Sequence, residues 1–476
     1  MNLLASLRNS GNALDVLQHA LSVVQNNVSN ASTAGYATQQ LNVVAQPFDI
    51  ASGAAGGIAS RGLLSSRDAY ADSEVQRQAQ TLGLYTAQSQ STGVIQSLFD
   101  VSGNSGVSAA LTKLFTSFSA WSASPNDAVA RQTVISAAAS LANSISGIAK
   151  GLNTAARQLN QQIGSTASQI NDLAAQIQRY NMARRQQTEA DPGADAQLHS
   201  TLESLSQLSN FTALTQADGT VTVLLGGGSP LVIGDQLDAV STNTSVDPAA
   251  ANPQSQPTAH VLDSQGKDIT ADITGGQLGG LLDTRNRVLS SIIGDGQQAG
   301  TLNQFAKGLA DSINNILTSG TVSTAANAAA GIPLFTYDNA DATLASGSIT
   351  VNAAVTGDQL APVDAAGNAN GNANLLASLG DPSNVQGQIA GVGFAAYFGG
   401  IAALAGQANQ DSQSNLQAQQ QVLAQATSQR DHISGVSLDA QAAEVLQFQR
   451  AYQAVARVLG IINSLADSAL GIIPQI

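Results

Sequence analysis

The first and last stretches of this chain carry the same apolar rhythm. Leu7, Leu14, Leu17, Leu21, Val24 and Val28 recur in steps of seven, three and four, and near the other end Val445, Phe448, Tyr452, Val455, Leu459 and Ile462 alternate threes and fours. That spacing is a heptad a/d seam, which holds a narrow apolar stripe on one side of a helix and suits it to winding against another helix. A chain that opens and closes on such helices can pair its own ends into a rod, with its remaining mass inserted between them. Globular enzymes rarely need that arrangement; subunits of helical assemblies do.

The 476 residues suffice for several domains with a core in each. Charged residues make up only 11% and aromatics 4%, the net charge is −14, and no Lys or Arg lies between Lys307 and Arg430. Neutralising phosphates takes clustered cations, so no nucleic-acid partner is expected, and an anionic membrane surface is disfavoured for the same reason. A surface of Ala, Gly, Ser, Asn and Gln can pack against identical neighbours with little charge to desolvate, and the sustained apolar periodicity argues against a disordered chain. The absence of cysteine excludes disulfides, thiolate metal sites and Cys nucleophiles. The opening MNLLASLRNS lacks the basic-then-apolar build of a secretory signal, so export would take another route. Residues 389–405 are apolar but broken by glycines and short of the ~20 residues that cross a bilayer, so no membrane insertion is expected.

The expected fold is mainly α with a β-rich insertion: a terminal coiled coil, a long-helix bundle and a small β-rich outer domain. Residues 1–48 read as an axial helix and arm, closing on the small polar run NNVSNASTAGY, a helix stop and turn. Residues 49–210 read as a long-helix bundle. Within it a helix starts near Asp68 and stops at the loop SGNSG, a shorter one carries Leu111, Leu114, Phe118 and Trp121, and a third runs from about 127 to 187. At 1.5 Å per residue the third reaches roughly 90 Å. Its start is marked by Ser124 as cap, Pro125 at the first helical position and Asp127 in the first turn. Residues 211–270 alternate as a β-meander followed, after a Pro/Ser/Asn loop, by a hairpin around 263–267. A helical return (271–319), a small β-rich insertion (320–390), a second return (391–433) and the C-terminal axial helix (434–476) complete the nesting.

At this point a resemblance enters. NNVSNASTAGY (26–36) and SGVSLDAQAAEVLQFQRAYQAVARVL (434–459) resemble the shared terminal motifs of flagellar rod, hook and hook-associated proteins. SPNDAVARQTVISAA (124–138), DGTVTVLLGGGSPLVIG (218–234) and GGQLGGLLDTRN (275–286) resemble the hook-associated protein 1 family, the hook–filament junction branch. The resemblance implies a non-enzymatic structural subunit without cofactors, exported through the flagellar type III apparatus with a dedicated chaperone and placed extracellularly at the distal hook end. Its implied partners are copies of itself, hook protein and hook-associated protein 3. The assembly interface would comprise the two seams with Asn26, Asn27, Asn30, Gly35 and Tyr36. Two departures from the motifs, Ala37-Thr38-Gln39 after Gly-Tyr and Asp439-Ala440-Gln441 in place of an acidic pair, put a local salt bridge in doubt. Hook or distal-rod protein, or an adhesin-like role of the outer region, are the alternatives.

Residues that could carry chemistry read more simply as structure. His19, His199, His260 and His432 are far apart and lack metal-ligand spacing. Gly391-Val392-Gly393 loosely matches a dinucleotide fingerprint but lacks a preceding strand, and Gly226 to Gly228 has no following Lys-Ser/Thr. Asp338, Asp341 and Asp358 sit in a Gly/Asn-rich segment with few aromatics to stack a sugar, and read as solvated loop residues.

Overall fold

The computed structural model describes residues 3–49, 54–99, 105–186, 191–246 and 256–471. Helix α1 (Leu3–Ser29) leads into an antiparallel arm, β1 (Gln39–Ala45), β2 (Phe48–Asp49), β3 (Ala54–Ala55) and β4 (Ile58–Ser65), in which β1 pairs with β4 and β2 with β3. Four helices follow: α2 (Ala69–Gln96), α3 (Gly106–Ala123), α4 (Ala128–Gln186) and α5 (Pro192–Leu208). A meander of β5 (Phe211–Thr215), β6 (Val221–Leu225), β7 (Ser229–Ile233) and β8 (Gln236–Leu237) is then laid down in chain order, and β9 (Ser241–Ser245) pairs with β10 (Thr258–Leu262). Helix α6 (Gly276–Asp283) passes through a π-helical turn, Thr284–Leu289, into α7 (Ser290–Ile293) and, after a break, α8 (Thr301–Thr318). Residues beyond it form β11 (Phe335–Thr336), α9 (Ala345–Ser348), β12 (Thr350–Val351), α10 (Gly371–Ser378), β13 (Gln388–Ile389) and β14 (Val392–Gly393). Two long helices close the chain, α11 (Phe394–Ser434) and α12 (Leu438–Gly471). None of the described helices is long and apolar enough to cross a membrane.

The spine is α4, 59 residues long. One stripe of it is buried from end to end, through Val134, Leu141, Ile145, Leu152, Leu159, Ile163, Ile170 and Ile177. A stripe that holds its face over so many turns gives one straight wall, against which α3, α5, α6, α9 and β7 to β9 are stacked. Its start differs from the expected one: the helix begins at Ala128, and Asp127 is the cap, its carboxylate accepting from the Val129 N–H at 2.8 Å. Pro125 stays outside the helix, where its carbonyl accepts from the Arg131 Nε–H at 2.7 Å and the indole N–H of buried Trp121 at 3.2 Å. Those two side chains take that carbonyl, and the helix starts three residues later than the Pro signal suggested.

Strands are fastened to helices by a recurring device. A helix-borne asparagine pairs its amide with both backbone groups of one extended residue, accepting from its N–H and donating to its C=O. Five such pairs occur among the described residues: Asn27 with Gln39, Asn171 with Val240, Asn181 with Val221, Asn286 with Ala259, and Asn314 with Phe335, all between 2.7 and 3.0 Å. Each supplies a sheet-like hydrogen-bond pair where no neighbouring strand exists, so edge backbone groups are satisfied inside the protein.

The segment 320–390 departs from the β-rich expectation. Its ladders, β11 with β12 and β13 with β14, are each two residues long, and short helices and Asx turns fill the rest. Short Asn, Asp, Ser and Thr side chains bond to backbone nearby and compete with strand pairing. Nor does it stand off as an outer lobe: Leu334, Phe335, Ile349, Leu360 and Leu376 are buried in the same core as α3, α4 and α8. At 390–391, Ala390 and Gly391 carry φ of 51° and 80°, the left-handed values a two-residue hairpin demands, so the glycines of the loose fingerprint form a tight turn entering α11. The stop at residues 101–104, the Pro/Ser/Asn loop at 247–255 and the tail at 472–476 lie outside the described residues.

The asparagine device has a measurable strength. Asn181 is fully buried and its amide also donates to the Gly234 carbonyl at 2.7 Å. Replacing Asn181 by Leu strands the two buried backbone groups of Val221 and the half-buried Gly234 carbonyl, and a loss of about 2 to 4 kcal/mol in urea unfolding, with amide exchange accelerated first in β6 and β7, is the expected result.

Candidate functional site

The ends of the chain meet at a polar junction. Helices α1 and α12 lie against one another, and the tightest contact between them is a hydrogen bond across 414 residues of sequence: Asn27 Nδ2 donates to Gln441 Oε1 at 2.8 Å. Asn27 is fully buried; its Oδ1 accepts from the Tyr36 hydroxyl at 2.8 Å and the Gln39 N–H at 3.0 Å, and its Nδ2 also donates to the Gln39 carbonyl at 2.8 Å. Every hydrogen-bonding capacity of that amide is used, so it fixes α1, the turn after it, β1 and α12 at one point.

A few ångströms along, three chain segments are tied together. Thr38 donates its N–H to the Ser434 carbonyl at 2.9 Å and its hydroxyl to the Gly435 carbonyl at 2.8 Å. The Ser434 hydroxyl, nearly buried, donates to the Ser66 carbonyl and accepts from the Asp68 N–H, both at 3.1 Å. At the two places where the motifs differ, this chain makes neutral hydrogen bonds: Thr38 reaches the α11–α12 corner and Gln441 reaches Asn27.

Charge is sparse in this chain, and one compact cluster of it lies beside the junction. Arg67 donates to Asp72 at 2.9 Å, to Asp195 at 3.0 Å and to the Gly35 carbonyl at 2.6 Å. His199 sits between the two carboxylates, its Nδ1 3.2 Å from Asp72 and its Nε2 3.6 Å from Asp195. Burial pushes the Asp72 carboxyl up, but neighbouring His199 and Arg67 overcome it and hold it below its ordinary value. Gly35, at φ 74°, lies so close to α5 that a Cβ there would stand 2.4 Å from the Ala196 carbonyl oxygen. The terminal turn is therefore seated directly on the helical body. A cavity of about 310 Å³ separates it from the α11–α12 corner, lined by Ser32, Tyr36, Arg67, His199, Arg430 and Gly435.

The seams are placed as follows. In α1 the buried stripe is Val16, Ala20, Val24 and Asn27. Leu7, Leu14, Leu17 and Leu21 are half-buried beside it, and Val28 is 45% exposed. The stripe is turned by about one residue from the expected seam because Asn27 must face inward to reach its partners. In α12, Val445, Phe448, Val455, Leu459 and Ile462 are half-buried, while Tyr452 is 38% exposed and Ala451 turns inward beside it. Asn26 is exposed; Asn30, half-buried, donates to the Asn26 carbonyl at 3.0 Å and accepts from the Thr33 hydroxyl at 3.1 Å. Arg67, Asp72, Asp195 and His199 were missed by the sequence reading. The only signal was that Arg67 is a rare cation directly preceding the helix cap Asp68, which accepts from the Ala71 N–H at 2.8 Å. Among the described residues no group of three or more His, Cys, Asp or Glu is arranged to hold a metal. The junction holds parts of the chain together and presents no reacting group.

This build, a helical body on one long spine with the two chain ends paired against each other, is that of a mainly helical structural protein. Residues 92–335 match the family described as "Flagellar hook-associated protein FlgK helical domain", and the chain belongs to that family. It is 24% identical over 502 aligned positions to flagellar hook-associated protein 1 of Bacillus subtilis, covering 98% of this chain and 97% of that one. To flagellar hook-associated protein 1 of Salmonella typhimurium it is 27% identical over 289 residues, 58% of this chain; that match spans only 50% of the Salmonella protein's length. The flagellar hook junction protein FlgK of Burkholderia pseudomallei is a similar solved structure, with 25% identity, a TM-score of 0.45, and coverage of 56% of this chain and 46% of that one.

Two outcomes test the junction. Asn27→Leu leaves both Gln39 backbone groups, the Tyr36 hydroxyl and Gln441 Oε1 without the partners they have here, at a cost of about 2 to 4 kcal/mol; limited proteolysis should then cut within 3–29 and 438–471 several-fold faster while α4 stays protected. Because the Asp72 carboxyl is held below its unfolded value of about 3.9, its contribution is complete above that pH and fades as pH falls through the lower folded value. Acid titration should show wild type losing its advantage over Asp72→Asn below about pH 4, and no difference in slope there would refute the pairing.

Proposed function

We propose that this protein is the subunit joining hook to filament in the bacterial flagellum, outside the cell, and that it polymerises at the distal hook end through the paired α1 and α12. The observation that carries the reading is the closure of the chain ends on Asn27 and Gln441, which makes one composite helical surface from residues at opposite ends of the sequence. That surface remains unsaturated in the single chain. Leu446, Val458, Ile461 and Leu465 of α12 are exposed on it, available to further copies of the same protein.

The partners follow from the position: hook protein below and hook-associated protein 3 above, with a type III export chaperone and the export apparatus before assembly. The lack of cysteine suits passage as an unfolded chain, since no disulfide has to be reduced. The few charges on the terminal helices suit close axial packing. An adhesin-like role for 320–390 draws no support from a segment buried against α3, α4 and α8.

Electron microscopy of a strain lacking this gene, with flagellin assayed in the medium, tests the assignment. Bare hooks with shed flagellin are expected; missing hooks would reassign the protein to rod or hook, and intact filaments would sink the axial reading.

A further inference from the structure

Helix α11 changes character along its length. Its first turns are anchored by aromatics: Phe398 packs against Phe99 and Phe305 with ring centroids 6.2 and 5.5 Å apart, and Phe394 stacks on Phe115 at 6.3 Å. Beyond Ala405 the face turned to α2 follows a heptad through Asn409, Ser412, Leu416, Gln419, Leu423, Ala426 and Arg430. Polar residues take the most buried of these positions: Asn409, Ser412 and Gln419 are each less than a tenth exposed. Yet α2 and α11 form the most extensive helix pair in the molecule.

The amides are paired across the seam. Gln419 Nε2 donates to Gln78 Oε1 at 2.6 Å and to the Gln78 carbonyl at 3.1 Å. Asn409 Nδ2 donates to Gln96 Oε1, and Asn409 Oδ1 accepts from the Thr92 hydroxyl at 3.3 Å. The apolar members of the seam cannot choose a register, because Ala405, Leu416, Leu423 and Ala426 are small or interchangeable. The amides can. Sliding α11 by one heptad sets Gln78 opposite Ser412 or Ala426, and Thr92 and Gln96 opposite Ala402 or Leu416. Either slip strands buried amides.

We propose that Asn409 and Gln419 are register-determining residues: they give up packing energy in the α2–α11 seam to fix one axial alignment, the use of buried polar residues best attested in coiled coils. The alignment matters because α11 ends at Ser434, the residue that binds Ser66 and Asp68 and whose carbonyl receives Thr38. The seam thus sets how far along the body the terminal junction is placed.

The chain's lack of cysteine allows a direct test. Cysteines at exposed Ser73 of α2 and Gln425 of α11 carry nitroxide labels, and the distance between them is read by electron–electron resonance in the full-length protein. The parent should give one narrow distance. With Asn409→Leu and Gln419→Leu combined, a second distance population or a broadened distribution is expected together with a raised thermal midpoint. A single unchanged distance overturns the proposal, whatever happens to the midpoint. Should that variant aggregate, Gln78→Leu with Gln419→Leu, placed between Leu416 and Leu423, is measured in its place under the same criterion.

Discussion

The interaction on which this architecture depends is the side-chain amide paired with two backbone groups. With 11% charged residues the chain has few ion pairs to spend, and exposed ion pairs are worth little in any case. An asparagine on a helix can satisfy one N–H and one C=O of a strand at once, and a neutral pair escapes most of the desolvation cost of a buried charge. Asn171 and Asn181 hold the meander and the strand after it to α4, Asn286 holds β10 to the π-helical turn, and Asn314 holds β11 to α8. Without them each of these strands would present an unpaired edge inside the protein.

Asn27 uses the same device at the most consequential place. Its partner Gln39 begins β1, and the fourth bond runs to Gln441 of α12. What elsewhere docks a strand here docks a strand and a helix from the far end of the chain. Charge is added where the terminal turn sits on the body, through Arg67, Asp72 and Asp195 against α5. The resulting joint is polar throughout, as is the α2–α11 seam that leads to it. Apolar burial supplies stability along α4, while amide geometry supplies alignment at the ends.

Much of this was legible in the sequence because it is local. The helix opening at Asp68, the 59-residue spine and the break after Ser434 follow from periodicity and caps that read the same in any context. The terminal motifs, with the internal segments, also carried the family. Where reading failed, the deciding partner was distant or not marked by the local signal. Nothing near Val28 announces that Asn27 will turn inward to meet Gln441, 414 positions away; at Pro125 the competing partners, Trp121 and Arg131, are close in sequence, but the helix-start signal does not say that they will claim its carbonyl. Gly/Asn-rich residues 320–390 suggested strands, yet their few large apolar side chains found the helical core, and their polar neighbours closed turns on themselves.

By itself, then, the sequence determined which long stretches are helical, that both ends carry heptad-spaced apolar residues, and the family to which the chain belongs. These depend on spacing along a single chain and on motifs of contiguous residues. Only the tertiary structure decided which face of each seam is buried, that the motif departures at Thr38 and Gln441 become neutral hydrogen bonds, and that Arg67, Asp72, Asp195 and His199 form a cluster. The physical reason is that a hydrogen bond or ion pair fixes two partners in space, and no local rule of spacing tells one residue where its partner, hundreds of positions away, will come to lie.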